Sequence, residues 1–191
     1  MHTLVIASFA VLVTTAVAAA EVAGVKIEEK ASVGGQELVL NGAGIRTRAI
    51  FKVYVGSLYL PAKTASSLNA LAAGPRRIQL NLLRTLSADQ LVDALVHGLK
   101  ANATPQEIEA VKAQTAELAS IMKTLGEVKE KDVVTIDFAD GATKIGLNGA
   151  SKGVIAGEAF NRALTKVWLG ENPVQADLKE GDAGQLKGSL N

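Results

Sequence analysis

The chain of 191 residues contains no cysteine, only 2 histidines, and few aromatic residues (4%). Without cysteine, disulfide bonds, cysteine-ligated zinc sites and thiol nucleophiles are all excluded. One of the two histidines, His2, lies in the apolar N-terminal segment, so the rest of the chain holds His97 alone. A two-histidine metal site is therefore excluded, and a Ser-His-Asp triad would have to use His97. We expect neither a bound metal nor a cofactor, and we interpret His97 as a partly exposed residue of a helix.

Neither sign of charge is in large excess, because 20 Lys and Arg are balanced by 19 Asp and Glu, which gives a formal net charge of +1. A nucleic-acid-binding protein would show a basic surplus concentrated on one face, so we expect no nucleic-acid partner. With 48% hydrophobic residues the chain can form the core of a single domain.

The first twenty residues have the pattern of a secretory signal peptide. An apolar run from Leu4 to Val13 leads into the small residues Ala16 to Ala20, and the first acidic residue is Glu21. An apolar stretch of about ten residues before an A-x-A-like site is typical of a cleaved leader, and it is too short to span a membrane. We therefore predict a signal peptide over 1–20 and one domain over 21–191. The predicted location is the periplasm or the extracellular space, and the mature chain has no membrane-spanning segment.

The order of apolar patterns predicts an α+β fold, with helices on one face of an antiparallel sheet. A capping box at Ser87 and Gln90 begins one helix, and a second cap at Thr104 begins another. The apolar stripe of that second helix, from Ile108 to Leu125, predicts one uninterrupted helix. A further helix is predicted over 157–169. Period-two patterns bounded by Gly, Pro or Asp-Gly predict strands over 25–28, 36–40, 49–60, 76–83, 132–138, 142–147 and 151–155.

A glycine-rich segment, Gly42-Ala-Gly-Ile-Arg46, precedes the predicted strand 49–60. A phosphate-binding loop would open a helix rather than a strand, so nucleotide binding is not indicated. Arg46 has two interpretations: an ordinary surface arginine, or a guanidinium fixed in a cleft where it binds a carboxylate or enolate oxygen.

The two tyrosines of the chain, Tyr54 and Tyr59, both lie on the strand after Arg46. Each could be a core residue whose hydroxyl is satisfied locally, or a phenol that donates to the same ligand as Arg46. Their spacing places them on opposite faces of a regular strand, so one of them at most is expected to line a common pocket.

These residues resemble the signature of the chalcone isomerase-like family. The resemblance extends over nearly all of 21–191, and its most specific part is a Gly-x-Gly-x-Arg segment followed by Val-Tyr-x-x-x-Leu-Tyr-Leu. The matching segments are Asn41-Gly-Ala-Gly-Ile-Arg46, the strand from Phe51 to Leu60, Leu82-Leu83-Arg84, Leu86-Ser87-Ala88, Phe160-Asn161-Arg162-Ala163-Leu164 and Trp168-Leu169-Gly170.

The resemblance implies an open-faced β-sandwich, in which a large antiparallel sheet and a layer of helices enclose a ligand cleft. Plant enzymes of the family close a flavanone ring, and Arg46 matches the arginine that polarises their substrate. Tyr54 stands where they have a strand threonine. Leu91, Gly98 and Gly157 stand near their helix tyrosine, helix asparagine and final Thr or Ser, and none of the three has a hydrogen-bonding side chain. Arg46 is thus the only matched catalytic position.

Non-catalytic relatives in this family bind fatty acids through the same arginine and a strand tyrosine. The resemblance therefore favours an exported protein that binds a fatty acid or a similar small amphipathic carboxylate, with Arg46, Tyr54 and Tyr59 as candidate ligand-binding residues. One alternative is an isomerase, or intramolecular lyase, that acts on a chalcone-like enone. The other is a non-catalytic envelope interaction protein with a vestigial cleft.

Overall fold

The computed structural model describes residues 20–72 and 74–175, so the predicted signal peptide, apart from Ala20, lies outside the described residues. As the sequence predicts, the described ranges begin with strands, continue with helices, return to strands and end with a helix. In chain order the elements are β1 (Ala20–Val22), β2 (Val25–Ile27), β3 (Lys30–Val33), β4 (Gln36–Arg48), β5 (Phe51–Leu60), α1 (Ser67–Ala72), β6 (Arg76–Leu82), β7 (Leu86–Ser87), α2 (Ala88–Asn102), α3 (Pro105–Ala110), α4 (Lys112–Thr124), β8 (Glu127–Val128), β9 (Val133–Ala139), β10 (Ala142–Leu147), β11 (Ala150–Ala156) and α5 (Glu158–Leu169).

Seven strands form one antiparallel sheet in the order β11-β10-β9-β6-β5-β4-β3. Strands β3 to β6 follow one another along the sheet, and so do β9 to β11. The two groups join where β6 pairs with β9, in a register that places Arg76 opposite Phe138. The predicted α+β class and the antiparallel sheet with its helical layer are confirmed.

The sheet is covered on both faces, and each face has its own apolar core. The larger core lies between the sheet and helices α2, α4 and α5, where Leu58, Leu95 and Trp168 are buried. The smaller core lies on the opposite face under the β1–β2 hairpin, around Leu38 and Tyr59. Because side chains alternate along a strand, each strand that crosses both cores contributes to them in turn.

A buried arginine on β6 connects helix α5 to the junction of β6 and β9 by hydrogen bonds. The Arg76 side chain donates from Nε to Thr165 Oγ1 and from Nη2 to Asn161 Oδ1, each at 3.0 Å. Asn161 also donates to the Ala142 carbonyl on β10. The helix is therefore positioned by polar contacts as well as by its apolar face.

Both predicted helix caps are confirmed, but the prediction of one helix from Thr104 to Leu125 is wrong. The chain leaves helical geometry at Val111, with φ −111° and ψ 14°, so α3 and α4 are separate helices. Val111 is 1% exposed, and its side chain belongs to the main core.

The glycine-rich segment was expected to end the strand that begins at Gln36. Instead, β4 continues through Gly42 and Gly44 to Arg48, with irregular pairing next to Gly42 and after Arg46. Glycine has low strand propensity, but Gly42 and Gly44 pair with Leu58 and Gly56 of β5, and this tertiary pairing overrides the local preference.

The sequence patterns also missed β1, β3, β7, β8 and α1, which are at most six residues long. Within residues 20–72 and 74–175, none of the helices combines the length and the apolar character that a bilayer crossing requires.

Candidate functional site

A strip of glycines faces the helical layer at the middle of β4 and β5. The register pairs Gly44 with Gly56 and Arg46 with Tyr54, and it places Gly42 opposite Leu58. Tyr54 and Leu58 belong to the core under the helices, so their partners on β4 lie on that same face. Because these glycines have no side chains, another segment can approach the sheet closely here, and Arg46 and Tyr54 lie side by side at one end of the strip.

Arg46 is half-buried, and its Nη1 donates to the main-chain carbonyl of Val174. Among the described residues it forms no ion pair with a carboxylate. Arg48, two residues further along β4, is exposed. The structure therefore distinguishes the two arginines, and Arg46 is the one that is fixed inside the fold by an oxygen acceptor.

Tyr54 is 8% exposed, and burial raises the pKa of its phenol above the ordinary value. The neighbouring Trp168 side chain and the positive charge of Arg46 oppose that rise in pKa. A phenol in this position remains protonated at neutral pH and can donate its hydrogen to a ligand oxygen. Trp168 is 1% exposed, and in the described part of the chain its ring nitrogen makes no hydrogen bond of acceptable geometry.

Tyr59 lies apart from this pair, on the other face of the sheet. It is 1% exposed in the smaller core, and its hydroxyl donates to the Glu28 carbonyl at 3.0 Å. Burial raises the pKa of Tyr59 to about 12. The structure thus brings together Arg46 and Tyr54 and places Tyr59 elsewhere, which agrees with the opposite faces predicted from strand parity.

The segment after α5 returns across this site and places Gln175 over the glycine strip. A Cβ atom built on Gly56 would lie 2.5 Å from Gln175 Oε1 and 3.3 Å from the Tyr54 ring. Gln175 is 5% exposed, and neither Nε2 nor Oε1 has a hydrogen-bond partner among the described residues. Gln175, which lies over Gly56, and Trp168, which neighbours Tyr54, were not predicted as parts of this site. No local pattern could have identified Gln175, whereas Trp168 belongs to the family signature.

A small crevice opens further along the same face. Its empty volume, which includes its open mouth, is about 150 Å³. Because that small volume includes open solvent, the crevice alone does not hold a long acyl chain. Its lining residues are Asn41, Leu58, Thr64, Ser66, Ser67, Ala70 and Leu169.

The helix positions that the resemblance aligns with enzyme donors serve packing here. Leu91 is buried in the main core. A Cβ atom on Gly98 would lie 2.6 Å from Val167 Cγ1 and 3.1 Å from Val174 Cγ1, so a larger residue there would displace these neighbours. Gly157 begins α5 with φ 127°, a conformation that favours glycine.

Other polar residues of interest lie outside this site. His97 is exposed on α2. Asp137 accepts two hydrogen bonds from Arg77, at 2.6 and 2.7 Å, across β6 and β9. No cluster of three or more His, Asp or Glu residues with metal-binding proximity occurs in the described ranges.

Comparison with solved structures shows the same fold in a fatty-acid binding protein from Arabidopsis thaliana. The TM-score is 0.67 at 14% sequence identity, and the match covers 83% of this chain and 91% of that chain. A search of curated proteins found no match. The family model described as chalcone isomerase-like matches residues 19–181. With most of its length matched by that model and its fold shared with the Arabidopsis protein, the chain belongs to the chalcone isomerase-like family.

Proposed function

We propose that this protein binds a fatty acid or a similar small amphipathic carboxylate, with Arg46 as the anchor for the carboxylate. The observation that carries the proposal is the pairing of Arg46 with Tyr54 on the helix-facing side of the sheet. There the guanidinium engages an uncharged main-chain oxygen rather than an acidic side chain. A carboxylate would accept a charge-assisted hydrogen bond from Arg46, which is stronger than the bond to a neutral carbonyl.

Tyr54 adds a second donor for the same head group. Its raised pKa keeps the phenol protonated, so it can share the carboxylate with Arg46 without adding negative charge. The apolar side chains around it, among them Leu58 and Trp168, belong to the core under the helices and provide an environment suited to an acyl chain. The fatty-acid binding named for the Arabidopsis protein supports the same ligand class.

Binding is favoured over ring closure because the aligned enzyme positions lack side-chain donors. Loss of one preorganised donor to a developing oxyanion costs roughly 10²–10³-fold in rate. Leu91, Gly98 and Gly157 provide no such donor, so Arg46 and Tyr54 would have to stabilise the whole charge. We therefore expect no cyclisation of a chalcone above the uncatalysed rate.

The test compares Arg46→Leu with Arg48→Leu, which removes an exposed arginine from the same strand. Titration calorimetry with decanoate should show a loss of affinity of roughly 10- to 100-fold for Arg46→Leu, since a charged hydrogen bond is lost. Arg48→Leu should bind like the wild type. Tyr54→Phe should weaken binding by about fivefold, as expected for one hydrogen bond.

Equal affinities of wild type and Arg46→Leu would refute the anchor and would favour an interaction protein with a vestigial cleft. Organic extraction of the purified protein, followed by mass spectrometry, gives an independent check. A fatty acid should be recovered from the wild type and be depleted in Arg46→Leu.

We also propose that the protein is exported by a signal peptide over residues 1–20. The support is the apolar run that ends in small residues before Glu21. Intact-mass measurement of the protein recovered outside the cytoplasm should show a chain without this segment. A full-length mass in that fraction would contradict cleavage.

A further inference from the structure

Residues 171–175, here called the strap, run from the end of α5 back over the Arg46 site. The base of the strap is held at Asn172 by the last turn of α2. The Asn172 N–H donates to Asn102 Oδ1, and Asn102 Nδ2 donates to the Asn172 carbonyl, both at 2.8 Å. Asn172 Nδ2 also donates to the Ala101 carbonyl at 3.3 Å. These contacts fix the base to the end of α2.

The tip of the strap, Val174 and Gln175, bridges the helices and the sheet. The Val174 N–H donates to the Val167 carbonyl at 2.9 Å, and a Val174 methyl packs against Gly98. Its carbonyl accepts from Arg46, and Gln175 lies over Gly56. The tip therefore takes up the space between α2 and β5 in which the proposed carboxylate would bind.

The tip makes poor polar contacts in this space. The Gln175 amide is buried without a partner for its nitrogen or its oxygen in the described part of the chain, and such burial disfavours the closed arrangement. The Val174 carbonyl carries no net charge, so it is a weaker acceptor for Arg46 than a carboxylate. A fatty acid can therefore replace the tip with a stronger contact at the same guanidinium.

We propose that the strap tip is an internal occupant of the ligand site, and that a carboxylate ligand displaces it. This inference rests on the proposed function, because the displacing group is the fatty-acid carboxylate. On binding, the whole tip moves away: the Val174 carbonyl leaves Arg46, and the Val174 N–H leaves the Val167 carbonyl. Gln175 leaves Gly56, and the base at Asn172 remains attached to α2. Only molecules with an open strap can bind the ligand, so the apparent affinity equals the intrinsic affinity multiplied by the open fraction.

Hydrogen–deuterium exchange of the wild-type protein tests the displacement directly. The Val174 amide is protected by its bond to Val167, so saturating decanoate should make it exchange faster. Decanol, which has the same chain length without a carboxylate, should not have this effect. Binding of decanoate with unchanged or slower exchange at Val174 would contradict displacement of the strap tip, but it would not contradict the proposed function.

Loosening the base provides a second test at a distance from the ligand. Asn102→Ala removes both bonds to the Asn172 main chain, whereas Lys100→Ala changes an exposed residue of the same helix turn. Asn102→Ala should exchange faster at Val174 without ligand and bind decanoate more tightly, by on the order of tenfold. Lys100→Ala should match the wild type.

Weaker or unchanged binding by Asn102→Ala, with exchange at Val174 accelerated, would overturn the inference. Decanoate binding by Asn102→Ala but not by the wild type would support it strongly. If neither protein binds decanoate, the proposed function fails, and the strap inference fails with it.

Discussion

The guanidinium carbon of Arg76 lies 4.8 Å from the centroid of the Phe138 ring, and the two residues are register partners on β6 and β9. Arg76 is 3% exposed, and burial lowers its pKa to about 10. The ring face and the oxygens of Asn161 and Thr165 surround the charge. This buried cation is part of the contact between α5 and the sheet.

Replacing Arg76 with Met should destabilise the fold by about 2–4 kcal/mol. Met keeps an apolar stem like that of Arg, but it leaves Asn161 Oδ1 without its Arg76 donor and removes the donor to Thr165 Oγ1. Urea denaturation followed by circular dichroism measures the difference in free energy of unfolding.

Arg162→Met is the matched control for that substitution. The Arg162 side chain is 59% exposed and makes a long contact of 3.9 Å with Glu158 on the surface of α5. Exposed pairs of this kind contribute about 0–1 kcal/mol, so Arg162→Met should change stability little. Similar losses in the two variants would show that the buried contacts of Arg76 are not what stabilises α5.

The two tyrosines should titrate abnormally, and no other tyrosine obscures them because the chain has 2. Tyr59 has a pKa of about 12, and the pKa of Tyr54 is raised by burial. The tyrosinate absorbance of the native protein should therefore remain low at pH 10, where the same chain in denaturant is about half ionised. Because the unfolded chain ionises first, the stabilisation from both groups is complete below about pH 10 and is lost as pH rises through the folded values.

Tyr59→Phe separates the two contributions. In this variant the remaining titration belongs to Tyr54, so its midpoint can be measured alone. A native titration curve centred near pH 10 for either residue would contradict the burial of that hydroxyl.

Gly157→Ser introduces the residue type that the resemblance aligns with this position in the family's enzymes, and we expect it to destabilise the protein. At position 157 the backbone φ of 127° is unfavourable for a residue with a side chain, and this strain costs about 1–3 kcal/mol. A Cβ atom there would also lie 3.2 Å from Gln114 Nε2. Thermal unfolding should show the loss, and a chalcone should still not be cyclised.

The neighbouring Ala156→Ser is the control, because Ala156 is exposed at the end of β11. Its stability should lie within about 0.5 kcal/mol of the wild type. A Gly157→Ser protein as stable as this control would mean that the start of α5 does not require glycine.

The local sequence predicts the structure best where local chemistry and tertiary structure agree. Ser87 with Gln90 forms the predicted capping box, and the alternation from Ile78 to Leu82 is the observed strand β6. The prediction is wrong where tertiary contacts decide the outcome, as at the break in the helical stripe at Val111. The short β1, β3 and α1 carry too few residues for a periodic pattern to emerge.

The site was only partly predictable for the same reason. The glycine-rich segment identified Arg46, and strand parity separated Tyr54 from Tyr59. Parity could also have identified Arg76, since it lies in step with Ile78 on the buried face of β6. Nothing local places Gln175 over Gly56, because that contact joins distant parts of the chain.

The junction of β6 with β9 also bears on how the molecule assembles. Arg77 and Asp137, which meet across it, are 60 positions apart in sequence, whereas β3 to β6 and β9 to β11 each pair with strands that follow closely. The entropy of closing so long a loop has to be overcome before these strands are joined. We therefore expect the two meanders to form first, and their pairing, with α5 packed across it, to complete the domain.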